Sequence, residues 1–369
     1  MDPRPVRQDY IATLDLLRLA AALAVVLFHY FFRGAAADGF LTAGYPQAAP
    51  LALYGYLGVN LFFLISGFVI AWSADGRGWE EFAVARFARL YPGFLLCMTI
   101  SFAVIASSGT PLLPVSFSQY LANLTMFAPA VGQPFMDGVY WSVVLEVVFY
   151  GWVTLALVAG IFQKWKLRLI LGWLAISAIN ELFLGSGAAR LLFLTEFGPF
   201  FAAGMLVHHL HAHGRSVPAL LLLLAAAFVL SSYTLSVTQQ WMIGHYGIAV
   251  SSAHLVAANL AMHAALIGAV LLRHRIRPSA FTLALGGLTY PLYLLHQNAG
   301  YLFINALTPL AGKWVAAWTC VALMVLVSWA IWRYFERPVQ RWLRIRLSLV
   351  VDAGLVRFRH VSVAAQAAE

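Results

Sequence analysis

The sequence predicts an all-α integral membrane protein, with about ten transmembrane helices around a central cavity and both termini in the cytoplasm. Of its 369 residues, 62% are hydrophobic and 10% are charged, whereas soluble domains carry about 25% charged residues. Apolar runs near the ~20 residues that cross the hydrocarbon core of a bilayer recur along the whole chain. The basic residues concentrate in alternate loops between these runs, which is typical of a multi-pass protein.

Ten apolar runs are candidates for membrane-crossing helices. If the N terminus is cytoplasmic, nineteen of the 23 Lys and Arg residues lie in inside segments. The third loop, 107–138, and the seventh loop, 236–246, lie outside and contain no Lys or Arg. The positive-inside rule therefore gives one orientation, with both termini cytoplasmic and an even number of helices. The predicted helices span residues 10–32, 52–74, 83–106, 139–161, 167–184, 190–211, 217–235, 247–272, 280–304 and 313–335.

The chain is predicted to form a single domain, 1–369, because no repeat or polar linker interrupts the helical pattern. The tail, 336–369, alternates basic and apolar residues, as an interfacial helix on an anionic inner leaflet does. Membrane topology therefore explains the net charge of +9. Nucleic acid is excluded as a partner, because nucleic-acid binding would need a basic face on a soluble module. The two cysteines lack the spacing of a zinc site, and the histidine run 208–213 ends a helix, so no metal is predicted.

The first helix could instead be a signal peptide. Arg4 and Arg7 precede its apolar run, and the stretch AAAD, 35–38, resembles a small-residue cleavage site. The apolar run is long for a signal core, however, and removing it would leave nine helices and upset the charge alternation. We therefore retain it as a transmembrane helix.

Four ionisable side chains lie inside the apolar runs. Arg18 and His29 are eleven residues apart on the first helix, about 16 Å along nearly one face. Glu146 in the fourth helix and His296 in the ninth are expected about 10 and 12 Å below the outer face, near the level of His29. Such groups are costly in a membrane and usually functional. The alternative is a packing role, in which a histidine only bonds a backbone carbonyl.

Arg86 and Arg89 lie at the cytoplasmic end of the third helix, three residues apart and on one face. Alone, they could simply snorkel to lipid headgroups. Together with Arg18 they suit a cytoplasmic, polyanionic, long-armed acyl donor whose phosphates bind guanidinium groups, and acyl-coenzyme A fits that description. A neutral His29 could then take the proton from an acceptor hydroxyl, with Glu146 orienting the ring or stabilising the imidazolium.

Six short motifs follow one another along the chain: LDxLR…H (Asp15, Arg18, His29), GVxLFFxxSGF (58–68), RxxR before YP (86–92), WSxxxE (141–146), YxLYLxH (290–296) and ERP (336–338). In this order they resemble the membrane acyltransferase 3 family, whose members O-acylate glycans and related molecules. The resemblance covers nearly the whole chain and implies ten helices. Two positions depart from the family pattern: EVVFY lacks the glutamine that often follows the glutamate, and HQN lacks a proline two positions after the histidine.

The resemblance implies that His29 is catalytic, that Arg18, Arg86 and Arg89 serve the donor, and that the WSxxxE residues line the site. We predict no permanently bound cofactor, with acyl-coenzyme A as co-substrate and membrane lipids around the chain. The predicted site residues are His29 and Glu146 for catalysis, Arg18, Arg86, Arg89, Trp141 and Ser142 for the donor, and Asp15, Ser66, Tyr290 and His296 as further lining residues.

The predicted function is therefore O-acylation in the bacterial inner membrane. An acyl group, with acetyl preferred, would move from cytoplasmic acyl-coenzyme A to a sugar hydroxyl of a lipid-linked or exported polysaccharide. A small-molecule natural product such as a macrolide is an alternative acceptor. A transporter or flippase for an anionic solute would use the same arginines for binding and the histidine–glutamate layer as a proton relay. Inverted repeats would favour a transporter, and the sequence shows none.

Overall fold

The computed structural model describes residues 10–36, 38–213 and 218–350, which contain helices and no β-strand. This confirms the predicted all-α class. Arg4, Arg7, Ala37, Arg215 and the tail after residue 350, all used in the topology predictions, lie outside the described residues. The helices are α1 (Ala12–Phe31), α2 (Ala49–Ala52), α3 (Leu57–Ala74), α4 (Trp79–Ser108), α5 (Phe117–Asn123), α6 (Tyr140–Val158), α7 (Phe162–Ile179), α8 (Gly187–Leu192), α9 (Gly198–His213), α10 (Pro218–Tyr246), α11 (Ser252–Leu271), α12 (Ala280–Leu295), α13 (Asn298–Ala311) and α14 (Lys313–Ile331).

Eight helical segments of the described chain are long and apolar enough to cross a membrane. The protein is therefore a multi-pass membrane protein. These segments are Ala12–Ala35, Ala49–Ala74, Trp79–Ser108, Tyr140–Val158, Phe162–Leu184, Pro218–Tyr246, Ser252–Leu271 and Lys313–Val350.

The other two predicted spans are interrupted helices. The span 190–211 is divided between α8 and α9 by a turn in which Leu194 has a positive φ of 56°. The span 280–304 is divided between α12 and α13 at His296 and Gln297. Each of these spans therefore reaches its predicted length only as two shorter helices joined by a bend.

The predicted outside loop 236–246 is wrong, because α10 continues to Tyr246. Polar residues in this stretch have partners inside the protein. The hydroxyl of Thr238 donates a hydrogen bond to Glu196 at 3.0 Å, and Gln239 is buried. These contacts allow a polar sequence to remain helical, which composition alone did not indicate.

Helices α3 and α9 pack backbone against backbone. A Cβ atom added to Gly67 would meet the carbonyl oxygen of Phe201, and one added to Gly204 would meet the carbonyl oxygen of Leu64. Small residues allow this close approach of membrane helices. The pair holds the α3 residues of the site in a fixed position.

The chain between α4 and α6 folds back along α4. This helix has 30 residues, which corresponds to a length of roughly 45 Å. The ring of Tyr120 in α5 lies 4.8 Å from the ring of Phe102, and the carbonyl oxygen of Leu124 accepts a hydrogen bond from Tyr91 at 3.2 Å. Residues 111–136 therefore form a re-entrant segment that descends beside α4.

Because of this segment, α6 begins deep in the molecule. The ring of Tyr140 lies 5.0 Å from that of Phe94, 14 residues before α4 ends at Ser108, a helix rise of roughly 21 Å. The depth predicted for Glu146 took the outer face as the start of this helix. Glu146 consequently lies deeper than predicted, in the same cavity wall as Arg86.

Candidate active site

A cavity of about 130 Å³ lies between α1, α3, α4, α6 and α12. This volume holds several water molecules. The cavity brings together seven of the eleven predicted site residues, contributed by five helices that are far apart in the sequence. These residues are Arg18, Ser66, Arg86, Arg89, Ser142, Glu146 and Tyr290.

The other four predicted residues lie just outside the cavity lining. Asp15 contacts it through Arg18, with which it forms an ion pair at 3.0 Å. Trp141 packs among aromatic rings behind the wall. His29 and His296 contact each other instead, and they lie further along α1 and α12 than the cavity residues Arg18 and Tyr290.

The three arginines of the cavity differ in their partners. Arg18 is paired with Asp15, and Arg89 is paired with the buried carboxylate of Glu336 at 3.4 Å. Arg86 has no ion pair with another described residue, and its buried Nε has no hydrogen-bond partner there. Arg86 therefore keeps unused donors, and a guanidinium in this state is suited to bind an anionic group.

The carboxylate of Glu146 is held against the cavity wall by two hydroxyl groups. Its Oε1 accepts a hydrogen bond from Ser66 at 2.9 Å and another from Tyr150 at 2.7 Å. It makes no hydrogen bond to His29 among the described residues. The sequence suggested that Glu146 pairs directly with His29. In the structure Glu146 lies beside the arginines instead.

His29 and His296 form a buried pair. Nε2 of His296 lies 3.1 Å from Nδ1 of His29, and Nδ1 of His29 is also 2.8 Å from the carbonyl oxygen of Val25. Nδ1 of His296 lies 2.8 Å from the carbonyl oxygen of Tyr293 and 3.1 Å from that of Leu292. Both rings are thus held through backbone contacts of their own helices.

These contacts assign the tautomers of the two rings. A carbonyl oxygen only accepts hydrogen bonds, so the proton of each neutral ring resides on Nδ1. Nε2 of His296 is then an acceptor, and it shares the Nδ1 proton of His29 with the Val25 carbonyl. The Nε2 atom of His29 retains its lone pair, so this ring is set up as a base.

The break between α12 and α13 is stabilised by a buried aspartate. Asp137 accepts the backbone N–H of Asn298 at 3.0 Å and that of Val139 at 3.2 Å. These N–H groups stand at the starts of α13 and α6, where a carboxylate is favourable. Asp137 therefore fixes the chain directly after His296.

Tyr293 connects the cavity with the histidine pair. The hydroxyl groups of Ser142 and Tyr293 lie 2.6 Å apart, and both residues line the cavity. The Tyr293 ring is in turn 5.9 Å from the ring of His296. The cavity thus leads from the arginines to within one side chain of the pair.

Three residues of the site were not predicted from the sequence: Tyr150, Tyr293 and Glu336. Tyr150 follows Glu146 by one helical turn, so helix periodicity could have indicated it. Tyr293 lies within a quoted motif but was given no role. Glu336 also belongs to a quoted motif, but no local signal connects it with Arg89, which is 247 positions earlier in the chain.

The histidine run at the end of α9 does not form a metal site. Within residues 10–36, 38–213 and 218–350, no group of three or more His, Cys, Asp or Glu side chains is placed to hold a metal ion. His208 instead faces the carboxylate of Asp75 at 3.7 Å, and His209 stacks on His213.

Comparison with known proteins agrees with this geometry. The family model described as "Acyltransferase domain" (acyltransferase 3) matches residues 11–333. Nodulation protein 10 of Rhizobium leguminosarum bv. viciae is 25% identical over 91% of this chain and 94% of its own length. The exopolysaccharide production protein ExoZ of Rhizobium meliloti (strain 1021) is 26% identical over 82% of this chain and 93% of its own length.

A third relative matches over a shorter region. The acyltransferase MdmB of Streptomyces mycarofaciens is 38% identical, but the match covers 31% of this chain and 28% of that protein. No solved structure matches the chain. The family model spans most of the chain, including all the arginines and histidines of the candidate site. The protein therefore belongs to the acyltransferase 3 family and is an enzyme that transfers acyl groups.

Proposed function

We propose that this enzyme O-acetylates a sugar hydroxyl of a lipid-linked or exported polysaccharide, using acyl-coenzyme A from the cytoplasm. It would act in the bacterial inner membrane as a single domain, 1–369, with ten membrane crossings and both termini inside. The observation that carries the proposal is a cavity lined by three arginines, whose lining residue Tyr293 packs against the buried histidine pair. This is the arrangement required to hold an anionic donor and activate an alcohol.

The arginine end suits the phosphorylated donor. Arg18 and Arg89 are oriented by the carboxylates of Asp15 and Glu336, while Arg86 keeps unused donors. Bidentate guanidinium contacts to phosphate are strong and geometrically specific. The cavity is too small for a whole coenzyme A molecule, because ligand sites of drug size occupy about 300–1,000 Å³. It accommodates only part of the donor.

The histidine end suits proton transfer. Nε2 of His29 takes the proton of the acceptor hydroxyl while the oxygen attacks the thioester carbonyl. The carbon–sulfur bond then breaks, and the imidazolium returns its proton to the departing thiolate. His296 accepts the Nδ1–H of His29 throughout and stabilises the positive charge of the intermediate imidazolium. No covalent acyl-enzyme is required.

The relatives favour a glycan acceptor over other classes. The two that match most of the chain are named for exopolysaccharide production and for nodulation. The shorter match to an acyltransferase keeps a small-molecule natural product, such as a macrolide, as the second acceptor class. Transport of an anionic solute without chemistry is disfavoured by membership of an acyltransferase family.

The decisive experiment is transfer of labelled acetyl from acetyl-coenzyme A by purified protein in lipid nanodiscs. The acceptors offered are lipid-linked oligosaccharide, exopolysaccharide fragments and a macrolide, each analysed by mass spectrometry. We expect label on a glycan hydroxyl. Label on the macrolide alone would assign the enzyme to the second acceptor class, and solute flux without any transfer would refute the proposal.

Replacing Arg86 or Arg89 by glutamine is expected to raise KM for acetyl-coenzyme A by roughly 10–100-fold, since a charged hydrogen bond contributes about 1.5–3 kcal/mol. The value of kcat should change far less, because neither side chain touches the histidine pair. The matched control is Arg168→Gln, whose guanidinium lies over Trp165 and outside the site cavity. An unchanged KM in both cavity variants would contradict the donor assignment.

Replacing His296 by leucine is expected to lower kcat by about 10–100-fold, the effect typical of lost supporting contacts to a functional histidine. The variant removes the acceptor for the Nδ1 proton of His29. His296→Gln restores an acceptor and should recover much of kcat, while KM for the donor stays constant in both variants. Equal activity of the leucine and glutamine variants would show that His296 only fills space.

A further inference from the structure

A second, larger cavity lies on the far side of the arginines from the histidine pair. Its volume is about 1040 Å³, which is the size of a site for a large ligand. We call it the basic vestibule. Its lining includes Trp72, Arg77, Arg273, His274 and Arg277.

The vestibule and the site cavity lie along the same seam of three helices. On α1, the vestibule residue Ile11 precedes the cavity residue Arg18 by seven positions, about 10 Å. On α12, Leu283 precedes Thr289 in the same way. Val69 of α3 lines both cavities. A long ligand placed along this seam would therefore extend from the vestibule past Arg18 toward the histidine pair.

The charge of the vestibule is positive and largely unused. Arg277 has no hydrogen bond or ion pair with another described residue, and Arg273 bonds only the backbone carbonyl of Val270. Asp75, an acidic lining residue, is already engaged by the ammonium group of Lys166. The exposed guanidinium groups therefore face the open cavity without a carboxylate to neutralise them.

We propose that the basic vestibule binds the phosphorylated nucleotide end of the acyl-coenzyme A donor, with Arg273 and Arg277 contacting its phosphates. This inference rests on the proposed function. The adenine ring can stack on the side chain of Trp72, since aromatic stacking tolerates any base. The pantetheine arm then runs along the α1–α3–α12 seam past Arg18 and Arg86, and the thioester is directed toward His29.

This placement accounts for two cavities of unequal size along one seam. The site cavity, at about 130 Å³, admits the narrow arm of the donor, and the vestibule, at about 1040 Å³, admits a nucleotide. The two sets of arginines then have separate tasks. Arg273 and Arg277 select a donor with a 3′-phosphate, while the cavity arginines act nearer the reacting end.

The test is equilibrium binding of coenzyme A, 3′-dephospho-coenzyme A and adenosine 3′,5′-bisphosphate to the purified full chain. We expect the unmodified protein to bind coenzyme A at least tenfold more tightly than its dephospho form. Arg277→Gln and Arg273→Gln should each weaken coenzyme A binding about tenfold and reduce this preference. Adenosine 3′,5′-bisphosphate should compete in the unmodified protein and lose affinity in both variants.

The matched control is Arg275→Gln. Arg275 lies between the two vestibule arginines in sequence, is exposed, and does not line the cavity, so its replacement should leave all three affinities within twofold. All three substituted side chains lie near or at the surface, and unchanged thermal unfolding will verify that the variants fold. Undiminished coenzyme A binding by both vestibule variants, or an equal loss in Arg275→Gln, overturns the inference. Failure of the unmodified protein to bind coenzyme A would instead refute the proposed function.

Discussion

His29→Ala is expected to abolish measurable acyl transfer while leaving the protein folded in the membrane. Loss of a general base lowers rates by typically 10²–10⁴-fold, and the Nε2 atom of His296 lies on the Nδ1 side of the His29 ring, away from the position of the proposed base. Donor affinity should be nearly unchanged, because Arg18 lies about three helical turns away on α1 and the other two arginines belong to α4. The measurement is initial rate with labelled acetyl-coenzyme A, together with donor binding.

The chain offers a close control for this substitution. His263 is also buried in a membrane helix, and its Nδ1 lies 2.9 Å from the carbonyl oxygen four residues earlier, that of Asn259. His29 makes the same type of contact with Val25. His263 lines neither the site cavity nor the vestibule, so His263→Ala should retain activity. Comparable activity of the two variants would exclude His29 from the chemistry.

Gly67→Ala and Gly204→Ala are expected to destabilise the protein severely. The added methyl group of either variant would meet a backbone carbonyl oxygen of the facing helix, and backbone atoms cannot move aside as a flexible side chain can. Overpacking of this kind costs about 1–3 kcal/mol and sometimes more. We expect a lower thermal unfolding midpoint in detergent and a reduced yield of folded protein for each variant.

Glycine-to-alanine substitutions elsewhere should have the opposite effect. Gly151 in α6 and Gly172 in α7 have no heavy atom within 4 Å of an added Cβ. Alanine favours a helix by about 1 kcal/mol over glycine, so Gly151→Ala and Gly172→Ala should leave the unfolding midpoint unchanged or raised. If all four variants behaved alike, close packing of α3 on α9 would not be important for stability.

The sequence was sufficient to identify most of the charged site residues, because an ionisable group inside an apolar run is a strong signal in itself. Arg18 and Glu146 were found this way, and both line one cavity with Arg86 and Arg89, which were predicted from their spacing at a helix end. Their relative depth was harder to predict. Counting residues from assumed outer ends placed Glu146 level with His29, whereas the structure places it beside the arginines.

The incorrect depth predicted for Glu146 has a physical origin. A depth count assumes that each apolar run begins at the membrane surface, but α6 begins only after the re-entrant segment has carried the chain inward. Hydropathy cannot distinguish these cases, because the segment is itself uncharged from 107 to 136. The same count did place His296 near the level of His29, but not in direct contact with it, and the helix break after His296 is capped by Asp137 from a distant part of the chain.

The re-entrant segment buries the amide side chains of Gln119 and Asn123 and exposes large apolar ones such as Phe117. Asn123 accepts the backbone N–H of Met136 at 2.9 Å. The carbonyl oxygen of Met136 in turn accepts a hydrogen bond from Asn298, two residues beyond His296. A displacement of the segment would therefore be passed through two hydrogen bonds to the chain that follows His296.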